Sequence, residues 1–401
     1  MRRRVPVYSS PCAWFPQSTL IRDIPLKILI VEPYFTGSHA AWASGYQAHS
    51  RHEVEILRLG GAYWKWRMHG GAVTLARRFM ESSLDPDIVV ATDMLDLTTF
   101  QSLTRSRTAT MPMALYFHEN QLSYPWSPTD RDVQQKRDKH YGFINYASAM
   151  AADTVFFNSE YHRRSFFEEL ERLLKHFPDH NEIGSIEKLK EKSAVLPLGM
   201  DLGRFDNSGG HVPLASDGAT REPLVVWNHR WEYDKNPDLF FKSLRTLAGR
   251  GVPFRLAVLG ENFSQVPVVF LKARDALGER VVHFGHEEDF SAYASWLHAA
   301  DVLPVTSYQD FFGAAVAEAI YCGCRPLLPN RLAYPELIPD EHRSGVFYSG
   351  EEEFLDRLET MLTGPIEPAG EGLRAAMVRF DWRTMATVYD HIIEKMEQRE
   401  V

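Results

Sequence analysis

The chain has no run of about 18 apolar residues anywhere in its 401, so no membrane-spanning helix is expected. Cysteine is scarce: Cys12, Cys322 and Cys324. An odd, low count excludes a disulfide scaffold and fits a reducing cytosol. Cys322 and Cys324 find no Cys or His cluster to complete a zinc set, and read as small packing residues at a helix end. No apolar segment follows Met1-Arg-Arg-Arg4, so residues 1–25 read as a leader rather than a secretory signal. Proline (23) and glycine (25) are too close to average for a disordered chain. No solenoid repeat is present. The net charge of −9 does not announce a nucleic-acid binder, but it is uneven. Residues 1–200 hold 24 Lys and Arg against 22 Asp and Glu, giving +2. The remaining 20 and 31 give −11. A locally basic face on the first half stays open, because binding answers to the local field.

What the chain has is alternation. Leu26–Val31, Val54–Leu59, Asp87–Thr92, Met113–Phe117, Thr154–Phe157 and Ala194–Leu196 read as strands. Helices are expected over Ser38–Ala48 and Gly71–Ser82. A polar stretch, 206–222, then reads as a linker, and alternation restarts with Leu224–Trp227, Phe254–Leu259, Val281–Phe284, Ala300–Val305 and Arg325–Leu328. Strands that alternate with helices predict parallel βαβ units. The expected fold is α/β: two doubly wound Rossmann-like domains, 26–205 and 223–375, facing across a cleft. A last amphipathic segment, 376–401, is placed to cross back to the first domain. Ligands bind at the carboxyl edges of such sheets.

Chemistry-bearing residues gather after those strands. The segment Ser307-Tyr-Gln-Asp-Phe-Phe-Gly-Ala-Ala-Val-Ala-Glu318 sets Asp310 and Glu318 around a tight turn, Phe312-Gly313, at the start of a small-residue helix. Free backbone N–H groups and the helix dipole make such a start an anion site. Glu318 lies roughly 7 Å along that helix at 1.5 Å per residue. A diphosphate at the tip therefore places a sugar near Asp310 and a ribose near Glu318. Asn228-His-Arg-Trp-Glu-Tyr-Asp-Lys-Asn-Pro237 offers Arg230 and Lys235 to clamp a diphosphate, or to pair with Glu232 and Asp234 at a surface. Asn236 is the expected cap and Pro237 the first turn of the next helix. Tyr34-Phe-Thr-Gly37-Ser38-His39 joins the first strand and helix. Gly37 permits close backbone approach and Ser38 is a candidate cap. This turn is not G-x-G-x-x-G, so it gives no support to a dinucleotide site. His118 and Asn120, in Phe117-His-Glu-Asn-Gln-Leu-Ser-Tyr-Pro125, follow an apolar strand, where imidazole can meet a sugar hydroxyl. Asp93 is either a helix cap or a ligand for acceptor hydroxyls. Tyr63–Gly71 mixes rings with cations and reads as an exposed, mobile acceptor loop. Lys136–His140 and Arg163-Arg164 are solvated helix faces or phosphate contacts.

With these motifs the chain resembles the retaining, metal-independent glycosyltransferases of the GT-B type. More closely it resembles the tRNA-queuosine alpha-mannosyltransferase family, over about residues 26–390. The carriers are Ile30–His39, Phe117–Pro125, Asn228–Pro237 and Phe311–Ala319 with Tyr321–Pro326. The resemblance implies mannose transfer from GDP-mannose to the queuosine cyclopentenediol of tRNA, with retention and without a cofactor or metal. It implies that Glu318 holds the ribose, that Asp310 meets the sugar, and that Arg230 and Lys235 clamp the diphosphate. His118 would face the sugar from the other lobe, and Gly37 would let that lobe close. Asp310 stands where the broader superfamily has a glutamate. The implied partners are a nucleotide sugar and tRNA, with no membrane, in the cytoplasm. Two other readings remain: a GT-B enzyme with another nucleotide sugar and a small or lipid acceptor, and a GT-B shell that binds nucleotide or RNA without turnover.

Overall fold

The computed structural model describes residues 24–127, 130, 132, 139–208, 221–261 and 266–397. Residues 1–23 of the expected leader and 209–220 of the expected linker lie outside these residues, as do Cys12 and Lys136-Arg137. Six parallel strands build each of two sheets. The first has the order β2-β1-β3-β4-β5-β6, from β1 (Lys27–Phe35), β2 (Glu53–Gly60), β3 (Ile88–Thr92), β4 (Met113–Phe117), β5 (Thr154–Phe157) and β6 (Ser193–Val195). The second has the order β12-β11-β10-β7-β8-β9, from β7 (Leu224–Trp227), β8 (Arg255–Val258), β9 (Val281–Phe284), β10 (Val302–Pro304), β11 (Arg325–Pro329) and β12 (Phe347–Tyr348). Strands β3, β4, β5 and β7 are buried along their whole length. Helices cover both faces, which is why these strands read as unbroken apolar runs.

Strand order reverses between β1 and β3 in one sheet and between β10 and β7 in the other. Such reversals open a crevice at the strands' carboxyl ends. The motifs around Gly37, Asp93, His118, Arg230 and Asp310 each leave one of these strands or β4. Two elements differ from expectation. Tyr63–Gly71 is no loop: the helix Trp64–Glu81 takes in all but Tyr63. Gly70 and Gly71 sit inside it, each against a close neighbour. A Cβ on Gly70 would lie 2.6 Å from the Trp66 ring, and one on Gly71 would lie 3.0 Å from Pro33. The short edge strand β12 was not foreseen, since two residues carry no periodicity.

The last helix, Trp382–Glu397, lies against the first, Gly37–His49. Tyr46 OH donates to Asp390 at 2.9 Å, and Trp42 Nε1 donates to Tyr389 OH at 3.0 Å. Residues from both sheets share one apolar cluster through this helix.

Candidate active site

The second lobe's half of the site begins where β7 ends. Asn236 turns left-handed (φ 52°) and caps the helix Pro237–Gly249, its Oδ1 accepting from Leu239 N–H at 3.3 Å. Thr306 Oγ1 donates to the carbonyls of both Lys235 and Asn236 at 2.9 Å, which fixes the turn against the end of β10. The turn buries Lys235 and aims its ammonium at Gln309 O (2.8 Å), Asp234 (3.3 Å) and Asp310 (3.6 Å). Burial works against ionisation of Asp310. The charges of Lys235 and His229 outweigh it and hold the carboxyl below its ordinary range. Tyr334 OH also donates to Asp310, at 3.1 Å.

Gly313 caps the helix Ala314–Tyr321 with φ 94°, and a Cβ there would come within 2.7 Å of Leu337. The first N–H groups of that helix have no acceptor inside it and carry its positive dipole end. Phe312 contributes its backbone only, because its ring lies edge-on to Phe380 in the core at 5.1 Å. Glu318 accepts from Tyr293 OH at 2.8 Å; burial raises its pKa against the pull of that bond and of Arg204.

The first lobe supplies a buried cluster. His39 Nδ1 lies 3.0 Å from Glu32, and the His39 and His118 rings meet at 4.2 Å, tilted by 36°. Burial alone would depress His39. The Glu32 carboxylate, helped by Asp93 and Glu119, overrides it and lifts the imidazole to about 9. Burial drives His118 well below its ordinary value, and the charge on His39 adds to this, so His118 is neutral. Its Nε2 is buried without a partner among the described residues. Asp93 is not a helix cap: Asp96 caps Leu97–Thr108, and Asp93 accepts the His118 N–H at 2.8 Å. Burial pushes Asp93 up to about 8, with His39 pulling it back. Ser38 does not cap either. Thr36 holds that position, and Ser38 stands exposed in the first turn beside Gly37 (φ 50°), which faces open space. The Asn120 amide is spent on its own turn, accepting from Leu122 and Ser123 N–H and donating to Ser123 Oγ. Cys322 and Cys324 are buried around the end of Ala314–Tyr321, as packing residues should be. Arg163 and Arg164 pair along their own helix with Glu160 and Glu168.

Glu32 escaped the sequence reading. Its signal was there: a lone carboxylate closing the apolar run Ile28–Val31, which only a buried partner explains. Glu32, His39 and His118 bring potential metal-ligand atoms within 4.8 Å of one another. The Glu32–His39 contact at 3.0 Å pairs two of these groups with each other, and His118 Nε2 keeps no partner among the described residues.

The pair sets an alkaline limit. His39 titrates near 9 when folded against an ordinary 6.5, so its stabilisation is whole below about pH 6.5 and is lost as pH rises through 9. The loss is on the order of 3 kcal/mol. Melting temperatures from pH 6.5 to 9.5 should fall, and fall less steeply in His39→Gln; equal slopes would remove this assignment.

The lobes meet directly. Ser159 Oγ donates to Phe311 O at 2.6 Å, and Glu336 accepts the Glu160 and Tyr161 N–H groups at 2.8 and 2.6 Å. Arg230 reaches Tyr124 OH at 3.2 Å, and that hydroxyl donates to Asp234 at 3.2 Å. Burial opposes the Arg230 charge, but Tyr124, Glu232 and Asp234 outweigh it and raise its pKa. Between the lobes lies a cavity of about 930 Å³ lined by both.

Two doubly wound lobes closing on such a crevice define a GT-B glycosyltransferase. Solved structures share the fold. Sucrose-phosphate synthase from Thermosynechococcus elongatus superposes with TM-score 0.68 at 14% identity, over 92% of this chain and 99% of that one. The trehalose-6-phosphate synthase OtsA gives 0.67 at 12%, over 93% and 99%. Residues 27–200 match the family described as tRNA-queuosine alpha-mannosyltransferase N-terminal, and residues 215–377 match glycosyl transferases group 1. The tRNA-queuosine alpha-mannosyltransferase of Drosophila melanogaster is 34% identical over 325 residues, 79% of this chain and 82% of that protein. A GDP-mannose-dependent phosphatidylinositol dimannoside mannosyltransferase of Mycobacterium tuberculosis is 26% identical, over 66% and 62%. The chain belongs to the tRNA-queuosine alpha-mannosyltransferase family. Among its described residues no helix is long and apolar enough to cross a membrane.

Proposed function

We propose that this protein moves mannose from GDP-mannose to a hydroxyl of the queuosine cyclopentenediol in tRNA, keeping the anomeric configuration, in the cytoplasm. The observation that carries the reading is one convergence. Lys235, Asp310 and the positive tip of Ala314–Tyr321 meet at the reversal point of the second sheet. Arg230 and Lys235 receive the diphosphate together with that tip, and Glu318 receives the ribose hydroxyls. Asp310 takes a mannose hydroxyl. Neutral His118 faces the sugar from the first lobe, with Gly37 beneath the closing backbone.

In the reaction the bond from the anomeric carbon to the β-phosphate oxygen breaks. The acceptor oxygen bonds to that carbon on the same face, and its proton passes to the departing phosphate oxygen, giving GDP. The negative charge that builds on the leaving group meets a guanidinium, an ammonium and backbone N–H groups, so the reading calls for neither a protein nucleophile nor a metal.

The test incubates the full chain with a panel of nucleotide sugars and queuosine-containing tRNA, then weighs the digested nucleosides. One hexose should be gained with GDP-mannose alone. A gain only with another donor, or only on a lipid or small acceptor, would replace this reading.

A further inference from the structure

The interlobe cavity has a definite chemistry. Rings from both lobes, Tyr34, Tyr63, Trp64, Trp126 and Tyr233, line it. Tyr63 stands 82% exposed, held in a left-handed conformation (φ 54°) just ahead of its helix. Among the described residues, four carboxylates and a single cation, Arg230, also line the cavity. Most of these charges are accounted for. Asp130 is held by Lys65 at 2.6 Å and Glu232 by Arg230 at 3.6 Å. Asp238 occupies the first turn of Pro237–Gly249, where the helix dipole favours it.

Glu119 is different. Among the described residues its hydrogen bond comes from the neutral amide of Gln121, at 2.8 Å, and it forms no ion pair. It follows His118 at the end of β4, and its charge acts on His39 and Asp93 on one side and on Arg230 and Glu232 on the other. Its coupling to His39 and Arg230 runs through space rather than by contact, so this half-buried carboxylate keeps a position open for a cationic ligand.

Resting on the function proposed above, we propose that this aromatic cavity takes the modified base itself, extruded from the anticodon loop, with Glu119 receiving its protonated secondary amine. Queuosine is a planar deazaguanine whose aminomethyl arm carries the diol, so the ligand is flat at one end and cationic at the centre. Rings stack the flat end. The amine lies on the ring carbon next to one that bears a hydroxyl, so anchoring it at Glu119 fixes the diol beside the sugar site. A neutral sugar or lipid acceptor would leave this charge unanswered.

The test compares wild type with Glu119→Gln, using GDP-mannose and queuosine-containing tRNA. The variant should raise KM for tRNA roughly tenfold, the loss typical of one charge-assisted bond. GDP-mannose affinity by calorimetry should stay unchanged, which also reports on folding. Wild-type kcat/KM for tRNA should fall as the amine deprotonates with rising pH, and that fall should shrink in the variant to the part that the His39 pair gives both proteins. Glu119→Asp, which keeps the charge, should recover part of the loss. A Glu119→Gln enzyme with the wild-type KM and pH profile, or one that loses kcat alone, overturns the proposal. If wild type itself leaves queuosine unmodified, the fault lies with the functional reading instead.

Discussion

Lys235→Ala is expected to lower sugar transfer by roughly a thousandfold, the upper range for losing one donor aimed at developing charge. The size follows from where the ammonium sits. Lys235 is buried, backed by Gln309 O at 2.8 Å and flanked by Asp234 and Asp310. Its stem has one orientation to adopt, so no other cation replaces it; Arg230 is already bound to Tyr124 and Glu232. Removing it also strands Asp310, whose carboxyl lies below its ordinary range because Lys235 and His229 offset burial. The stability cost is on the order of 3 kcal/mol. Lys235→Met separates the two effects, since it fills the volume but not the charge. Single-turnover transfer and melting, measured on both variants, check the account. Glu318→Ala should fail through GDP-mannose affinity instead, because it loses the ribose contact rather than the leaving-group charge. Wild-type transfer in Lys235→Ala would remove the diphosphate clamp from the mechanism.

The second lobe was the easier half to read. Asp310, Gly313 and Glu318 lie within nine consecutive residues, and Arg230 to Asn236 within seven, so local spacing alone brings each group together. Asn236 and Pro237 punctuate their helix through ordinary cap chemistry, which is visible in any sequence. The first lobe resisted for the opposite reason. Glu32, Asp93 and His118 come from three strands or their ends and His39 from the first helix, and only the parallel strand order makes them neighbours. His39 stood in the turn motif after the first strand, and only tertiary burial shows it as half of an ion pair. Ser38 and Asp93 were candidate caps by residue type. Which of several polar residues caps a helix depends on where the strand lets the helix begin, and that is a sheet property. The Tyr63–Gly71 reading failed because paired glycines mimic a loop when the neighbour that crowds Gly71, Pro33, is distant in sequence.

Trp382→Ala is expected to lower the melting temperature by about 5 °C, from a loss of about 4 kcal/mol. This indole, 1% exposed, is the point where the last helix locks onto the first lobe. Two glycines make room for it: a Cβ on Gly45 would lie 2.0 Å from its Nε1, and one on Gly199 would lie 2.5 Å from its outer ring. Tyr46 stacks on it at 5.8 Å and Tyr389 meets it edge-on at 5.1 Å. The backbone adds a clasp, Trp382 N–H to Met200 O and Met200 N–H to Phe380 O, both at 2.8 Å. Because glycines crowd the ring on two sides, it has nowhere to retreat. Gly45→Ala and Gly199→Ala should therefore destabilise by a comparable amount without removing any contact, which a loosely held ring would not allow. The helix follows Phe380, whose ring supports Phe312 at the donor site. Loosening it should thus raise KM for the nucleotide sugar as well as lower the melting point. Trp382→Ala melting like wild type, or alanine at Gly45 tolerated without cost, would mean that the two lobes are held together elsewhere.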